Sequence, residues 1–136
     1  MIFRRRRLPE HLAAPFEAFQ SLVPVLERAK SALTESVPGT RLPGRPLAET
    51  LWEFEEGLRA AEEGMPAWRV PQMEPQWGAA GDGLREALAL AERLRVEAPE
   101  PAGFEGLIGL IGDLIAPLEA FEAAAERFRE LRSRRP

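Results

Sequence analysis

The sequence predicts an all-α protein, a four-helix antiparallel bundle with Pro/Gly-rich connections and a long bent C-terminal helix. Three observations predict it. Leu47, Leu51, Phe54, Leu58, Ala61, Met65 and Trp68 recur at alternating intervals of four and three, which gathers side chains on one helical face. Three further apolar runs have helical spacing, with proline and glycine between them. Neither the β-branched alternation of strands nor an Asn-Gly hairpin signal occurs. Each apolar face needs another to cover it, and four antiparallel helices are the simplest closure.

The first helix is expected to start near Pro9, a residue suited to a first turn, and to end before Pro38-Gly39. Its stripe is Leu12, Phe16, Phe19, Val23, Leu26, Leu33 and Val37. Pro15 and Pro24 lie inside it. Each lacks an amide donor and crowds the preceding turn, so a kink or the true helix start is expected just before Pro15, with the long part from Pro15 onward. Lys30 falls on the stripe between Leu26 and Leu33. Its stem is expected to be buried and its ammonium to reach water, the alternative being a pair with a glutamate of a neighbouring helix or subunit.

Two Pro-Gly pairs break the chain over residues 38–45, and Pro46 starts a second helix that ends near Gly64. Trp52, beside Leu51, is expected either to pack largely in the bundle or to lie at an interhelix edge. The third helix is expected from Asp82, or slightly earlier from Trp77, to Glu97, with Leu84, Leu88, Ala91 and Leu94 inward and Pro99 and Pro101 stopping it. The fourth begins at Pro101 and carries Phe104, Leu107, Ile108, Ile111, Leu114, Ile115, Leu118, Phe121, Ala125, Phe128 and Leu131. As the longest and most apolar element it is expected to sit centrally, bent at Pro117.

Two segments stand apart from this pattern. Residues 64–78 join the second and third helices and hold Met65, Trp68, Met73 and Trp77 among three prolines. Such a connection either caps an open end of the bundle or presents rigid aromatic anchors to a partner. The expectation adopted for function is the second, with Trp68, Met73 and Trp77 as contact residues and both tryptophans at least half-exposed. Gly103, Gly106, Gly109 and Gly112 thread the start of the fourth helix, each costing about 1 kcal/mol relative to alanine. Close approach of a neighbouring backbone would compensate. The alternative is an amphipathic segment lying on a membrane or in a partner groove, with Gly106 and Gly109 at the contact and Asp113 on the wet side.

Composition narrows the function. At 136 residues the chain is expected to be one domain over residues 1–136, with basic flexible tails at residues 1–8 and 132–136. The absence of cysteine excludes disulfides and thiolate sites and fits a cytoplasmic protein, while a single histidine rules out a multi-histidine site. The basic start resembles that of a signal peptide, but Pro9, Glu10 and His11 interrupt the apolar stretch that should follow, so export is not expected. The longest apolar run, residues 107–118, is well short of the roughly 20 residues needed to cross a bilayer.

Charge is segregated. Arg4, Arg5, Arg6 and Arg7 at one end, with Arg127, Arg129, Arg132, Arg134 and Arg135 at the other, account for nine of 18 basic residues. An even number of antiparallel helices brings both ends to one pole, where Arg4, Arg5, Arg6, Arg7, Arg132, Arg134 and Arg135 would form a patch for an acidic partner or an anionic membrane surface. With a net charge of −4 and no recognisable reading motif, nucleic acid is not an expected partner.

Chemistry finds little support. The Glu-x-x-Glu spacing of Glu53 and Glu56 is similar to that of metal-dependent all-helical nucleotide pyrophosphatases, but the inward acidic cluster of those enzymes is missing and no family assignment follows. Relative to Leu51, Phe54 and Leu58, Glu53 and Glu56 point about 140° to 200° away, toward solvent. Glu119, Glu122 and Glu126 flank the fourth stripe as a wetted boundary does, and His11 has no evident acid, base or nucleophile around it. No metal or cofactor is expected. The sequence therefore points to a non-enzymatic helical interaction or scaffold protein with a protein partner or a homodimer. A peripheral binder of membranes or anionic surfaces, using the glycine-spaced helix and terminal arginines, is the alternative, and a divalent-metal-dependent hydrolase is the weakest.

Overall fold

The computed structural model describes residues 8–39 and 42–133, and over these residues the chain is all-helical, with no strand. Helix α1 spans Glu10–Thr34 and passes through both Pro15 and Pro24. The helix thus starts beside Pro9 as expected, and the alternative start just before Pro15 is not adopted. Leu12, 1% exposed, anchors the turn before Pro15 in the core, and burial of an apolar face holds a helix across a missing hydrogen bond. Helix α2, Leu47–Glu63, buries Leu51, Phe54, Leu58 and Ala61. Small residues let α1 and α2 meet closely, since a Cβ added at Gly57 would stand 2.7 Å from that of Ala29.

After α2 the chain makes two 3-10 turns, Met65–Trp68 and Pro71–Met73, and enters helix α3, Glu74–Glu97. This helix begins earlier than Trp77 or Asp82. Pro75 occupies its first turn, where a missing amide costs nothing, and Glu74 supplies a negative charge at the positive end of the helix dipole. Proline here starts a helix instead of prolonging a loop. At the other end Ala98 adopts a left-handed conformation with φ 45°, immediately before Pro99.

The fourth apolar run is divided. Helix α4, Gly103–Ile115, is followed by a 3-10 turn, Ala116–Glu119, and by helix α5, Ala120–Ser133. Pro117 lies in the turn, where the backbone presses on α3: a Cβ on Gly83 would overlap the Pro117 carbonyl oxygen. The expectation that the whole run sits centrally holds for its second half only. Leu118, Phe121, Ala124, Phe128 and Leu131 are buried from the turn onward, whereas α4 buries only Ile111 and Leu114. At the centre of the core, Phe19 meets Trp68 edge-on at 4.9 Å and Phe128 at 5.1 Å, and Phe16 lies 5.3 Å from Phe128.

Candidate functional site

The connection between α2 and α3 is a lid of the core. Trp68 and Met73 are both 0% exposed, which overturns the expectation that Trp68 presents its ring to a partner and takes Met73 out of any contact surface. The 3-10 turn Met65–Trp68 prolongs the apolar face of α2, so Trp68 enters the aromatic cluster in the register that Leu58, Ala61 and Met65 set. Trp77 is half-buried. Its Nε1 donates to the Met65 carbonyl at 2.7 Å, and the Arg69 guanidinium lies 4.2 Å from its ring centre. Glu74 holds Arg69 at 2.7 Å, which raises the guanidinium pKa and lowers that of the carboxyl. A cavity of about 260 Å³ beside Trp77 is lined by Glu62, Met65, Pro66, Gly81, Leu84 and Arg85.

Trp52 is 50% exposed, so of its two expected places it takes the interhelix edge. It follows Leu51 by one position and so lies about 100° round α2 from the core stripe. Instead of packing in the bundle, its ring lies 5.4 Å and 6.0 Å from the guanidinium groups of Arg95 and Arg59. Both arginines converge on Glu55, a fully buried carboxylate that sequence reasoning missed. Arg95 grips it through two hydrogen bonds, Nε to Oε2 at 2.6 Å and Nη2 to Oε1 at 3.1 Å, and is raised in pKa by them. The signal was in the sequence. Glu55 stands four residues after Leu51 and three before Leu58, on the inward spacing itself.

Several other charges form pairs at the surface. Arg45 is held by Glu35, Glu49 and Glu53, and its hydrogen bonds keep the Glu53 carboxyl below the usual carboxylate range. Glu53 and Glu56 are exposed, as are Glu119, Glu122 and Glu126. Among the described residues no group of three or more His, Asp or Glu side chains is placed to hold a metal ion. The groove between α1 and α2, about 570 Å³, is floored by Ala29, Ala32 and Gly57 and edged by Arg28, Glu53 and Glu56. Lys30 is largely buried and pairs with Glu27 on its own helix at 3.3 Å, not with a neighbouring one. His11, exposed, meets Gln72 at 3.0 Å between Nε2 atoms. Arg132 belongs to α5, its guanidinium 4.7 Å from the Phe16 ring centre. Arg4, Arg5, Arg6, Arg7, Arg134 and Arg135 lie outside the described residues.

Helix α4 carries the exposed apolar surface. Its residues form four rows at four-residue spacing, the ridges by which helices pack. Leu107, Ile111 and Ile115 in one row, and Leu110 and Leu114 in another, are buried or half-buried against the core. A third row, Phe104, Ile108, Gly112 and Ala116, is exposed throughout, with Phe104 at 61% and Ile108 at 45%. The fourth, Glu105, Gly109 and Asp113, is exposed as well.

The glycines therefore do not serve close packing within the fold. A Cβ at Gly103, Gly109 or Gly112 would meet nothing within 4 Å, and one at Gly106 would meet only Ala102 and Pro101 just before it. Steps of three residues carry successive glycines about 60° around a helix, so four of them cannot share one face. Close approaches occur instead at Gly44, Gly57, Gly64 and Gly83. Comparison of the chain with protein-family models, curated proteins and solved structures found no match in any of the three.

Proposed function

We propose that this protein is a non-enzymatic helical interaction module, in which an antiparallel bundle with Pro/Gly-rich connections carries α4 on its outside as a docking surface. The observation that carries the proposal is the Phe104, Ile108, Gly112 and Ala116 row, apolar over its whole length and exposed although the adjacent Leu107, Ile111 and Ile115 row is turned to the core. Exposed large apolar groups aligned on one ridge favour contact with a partner. The antiparallel order is supported by Phe16, near the start of α1, meeting Phe128, near the end of α5.

The earlier emphasis on Trp68 and Met73 gives way to α4, because residues inside the core cannot meet a partner without unfolding. A photoreactive amino acid at position 108, compared with one at Val23, tests the assignment in cells. Val23 is exposed to a similar degree, 41%, on α1. Covalent adducts should form at 108 and be sparse at 23. Equal yields at the two positions, or none at 108, reject α4 as the docking surface.

A further inference from the structure

We infer that the partner received by the α4 row is a cationic amphipathic helix, one whose apolar stripe is flanked by lysines or arginines. This assignment rests on α4 being a docking surface. Along the exposed row, bulky Phe104 and Ile108 give way to Gly112 and Ala116, and the neighbouring Gly109 is equally open. The result is a ridge followed by a shallow step into which another helix can seat its own ridge. Immediately beside it runs the Glu105, Gly109 and Asp113 row, which ends in carboxylates and carries no cation.

The ionisable residues of the stretch of chain that contains α4 have one sign. Residues 97–126 contain Glu97, Glu100, Glu105, Asp113, Glu119, Glu122 and Glu126 and no lysine or arginine. All seven are exposed, and among the described residues only Glu126 has an ion-pair partner, Arg129 on its own helix. A helix laid along Phe104 and Ile108 places its flanks beside Glu105 and Asp113, so lysines or arginines there complement the field and speed encounter. Other occupants fit worse. A second copy docked antiparallel through the same row sets Glu105 of one molecule near Asp113 of the other, and an anionic lipid surface meets the same unpaired carboxylates. The complementary surface is small, about 20 Å of helix, so the contact is a weak one of micromolar order.

The test uses the full-length protein and two fluorescein-labelled amphipathic peptides of about 14 residues, a length matched to α4. Both carry leucines at helical spacing; one is flanked by lysines and the other by glutamates. Fluorescence anisotropy at about 50 mM and about 300 mM NaCl should show binding of the lysine peptide that weakens about tenfold or more at the higher salt, and none of the glutamate peptide. Phe104→Ser with Ile108→Ser should abolish binding while thermal melts by circular dichroism stay close to the parent. Glu105→Gln with Asp113→Asn should weaken binding several-fold and flatten its salt dependence.

Equal binding of the two peptides overturns the inference, as does binding that survives the double serine variant. Failure of the lysine peptide to bind overturns it too. Self-association through the same row, or capture by phosphatidylserine vesicles, identifies a different occupant and equally rejects a cationic helix. Photoadducts at position 108 without peptide binding would refute the partner chemistry and leave the docking surface standing; absence of both removes the two together.

Discussion

Truncating Trp68 to alanine puts the lid assignment of the α2 to α3 connection at risk. The ring is wholly buried and lies 4.9 Å from Phe19, 6.1 Å from Phe121 and 6.4 Å from Phe128, so its removal opens a cavity bounded by three aromatic rings that α1 and α5 hold in place. Truncation of a buried large aromatic to alanine costs about 3–5 kcal/mol. For 136 residues, a loss of about 4 kcal/mol is a fall of about 14 °C in melting temperature. Total stability for a domain of this size is about 5–15 kcal/mol, so roughly a quarter or more of it is at stake.

Trp68→Phe sharpens the test. The Trp68 Nε1 is buried with no hydrogen-bond partner, and an unpaired buried donor costs about 1–3 kcal/mol. Phenylalanine keeps part of the ring contacts and deletes that donor, so it should lose less than alanine. Urea unfolding followed by circular dichroism, analysed with a common m-value, measures both variants. A Trp68→Ala loss under about 1 kcal/mol, or a Trp68→Phe loss equal to it, would refute the role of this side chain as a core keystone.

Three other outcomes follow from the same geometry. Gly109→Ala and Gly112→Ala should each stabilise by up to about 1 kcal/mol, since the new methyl meets nothing, whereas Gly83→Ala must displace the Pro117 carbonyl and should destabilise; opposite signs in the urea midpoint check the pair. Arg95→Ala should destabilise more when Glu55 is present than when Glu55 is already glutamine, because only the carboxylate is left buried without its two hydrogen bonds; a double-mutant cycle reads the difference. Glu53 and Glu74 have carboxyl pKa values lowered from 4.5 by Arg45 and Arg69, so their contribution to stability is present above that pH and lost as pH falls through the lower folded values; the Arg45→Ala and Arg69→Ala variants should approach the parent's urea midpoint at low pH and moderate salt.

The periodic parts of this protein were legible. The α2 stripe named seven residues, and all but the half-buried Leu47 are fully buried, because a strict alternation of four and three leaves a helix only one way to face a core. Trp68 belonged to that alternation, and weighing its size and its place between prolines above its spacing led to the opposite expectation. Glu55 was hidden for another reason: its spacing put it inside, but the arginine that makes such a position tolerable lies 40 residues away on α3. In α4 apolar content misled. Three of its four rows are apolar or small and only two can face the core, a choice settled by the turn at Pro117 and its seat on Gly83. The glycine spacing could not say whether a neighbour comes near.

The seat of Pro117 on Gly83 also sets how the protein breathes. From the 3-10 turn onward Leu118, Phe121, Ala124, Phe128 and Leu131 are buried, while α4 buries only Ile111 and Leu114, with Leu107, Leu110 and Ile115 half-buried beside them, and is weakened by its glycines. The joint divides one apolar run in two, and α4 is expected to open before α5 does. Amide hydrogens at residues 107–112 should exchange through this local opening, orders of magnitude faster than those near Phe54 or Phe128, whose release requires global unfolding. Among the α-helices, the one proposed for contact is thus also the one that buries the fewest residues.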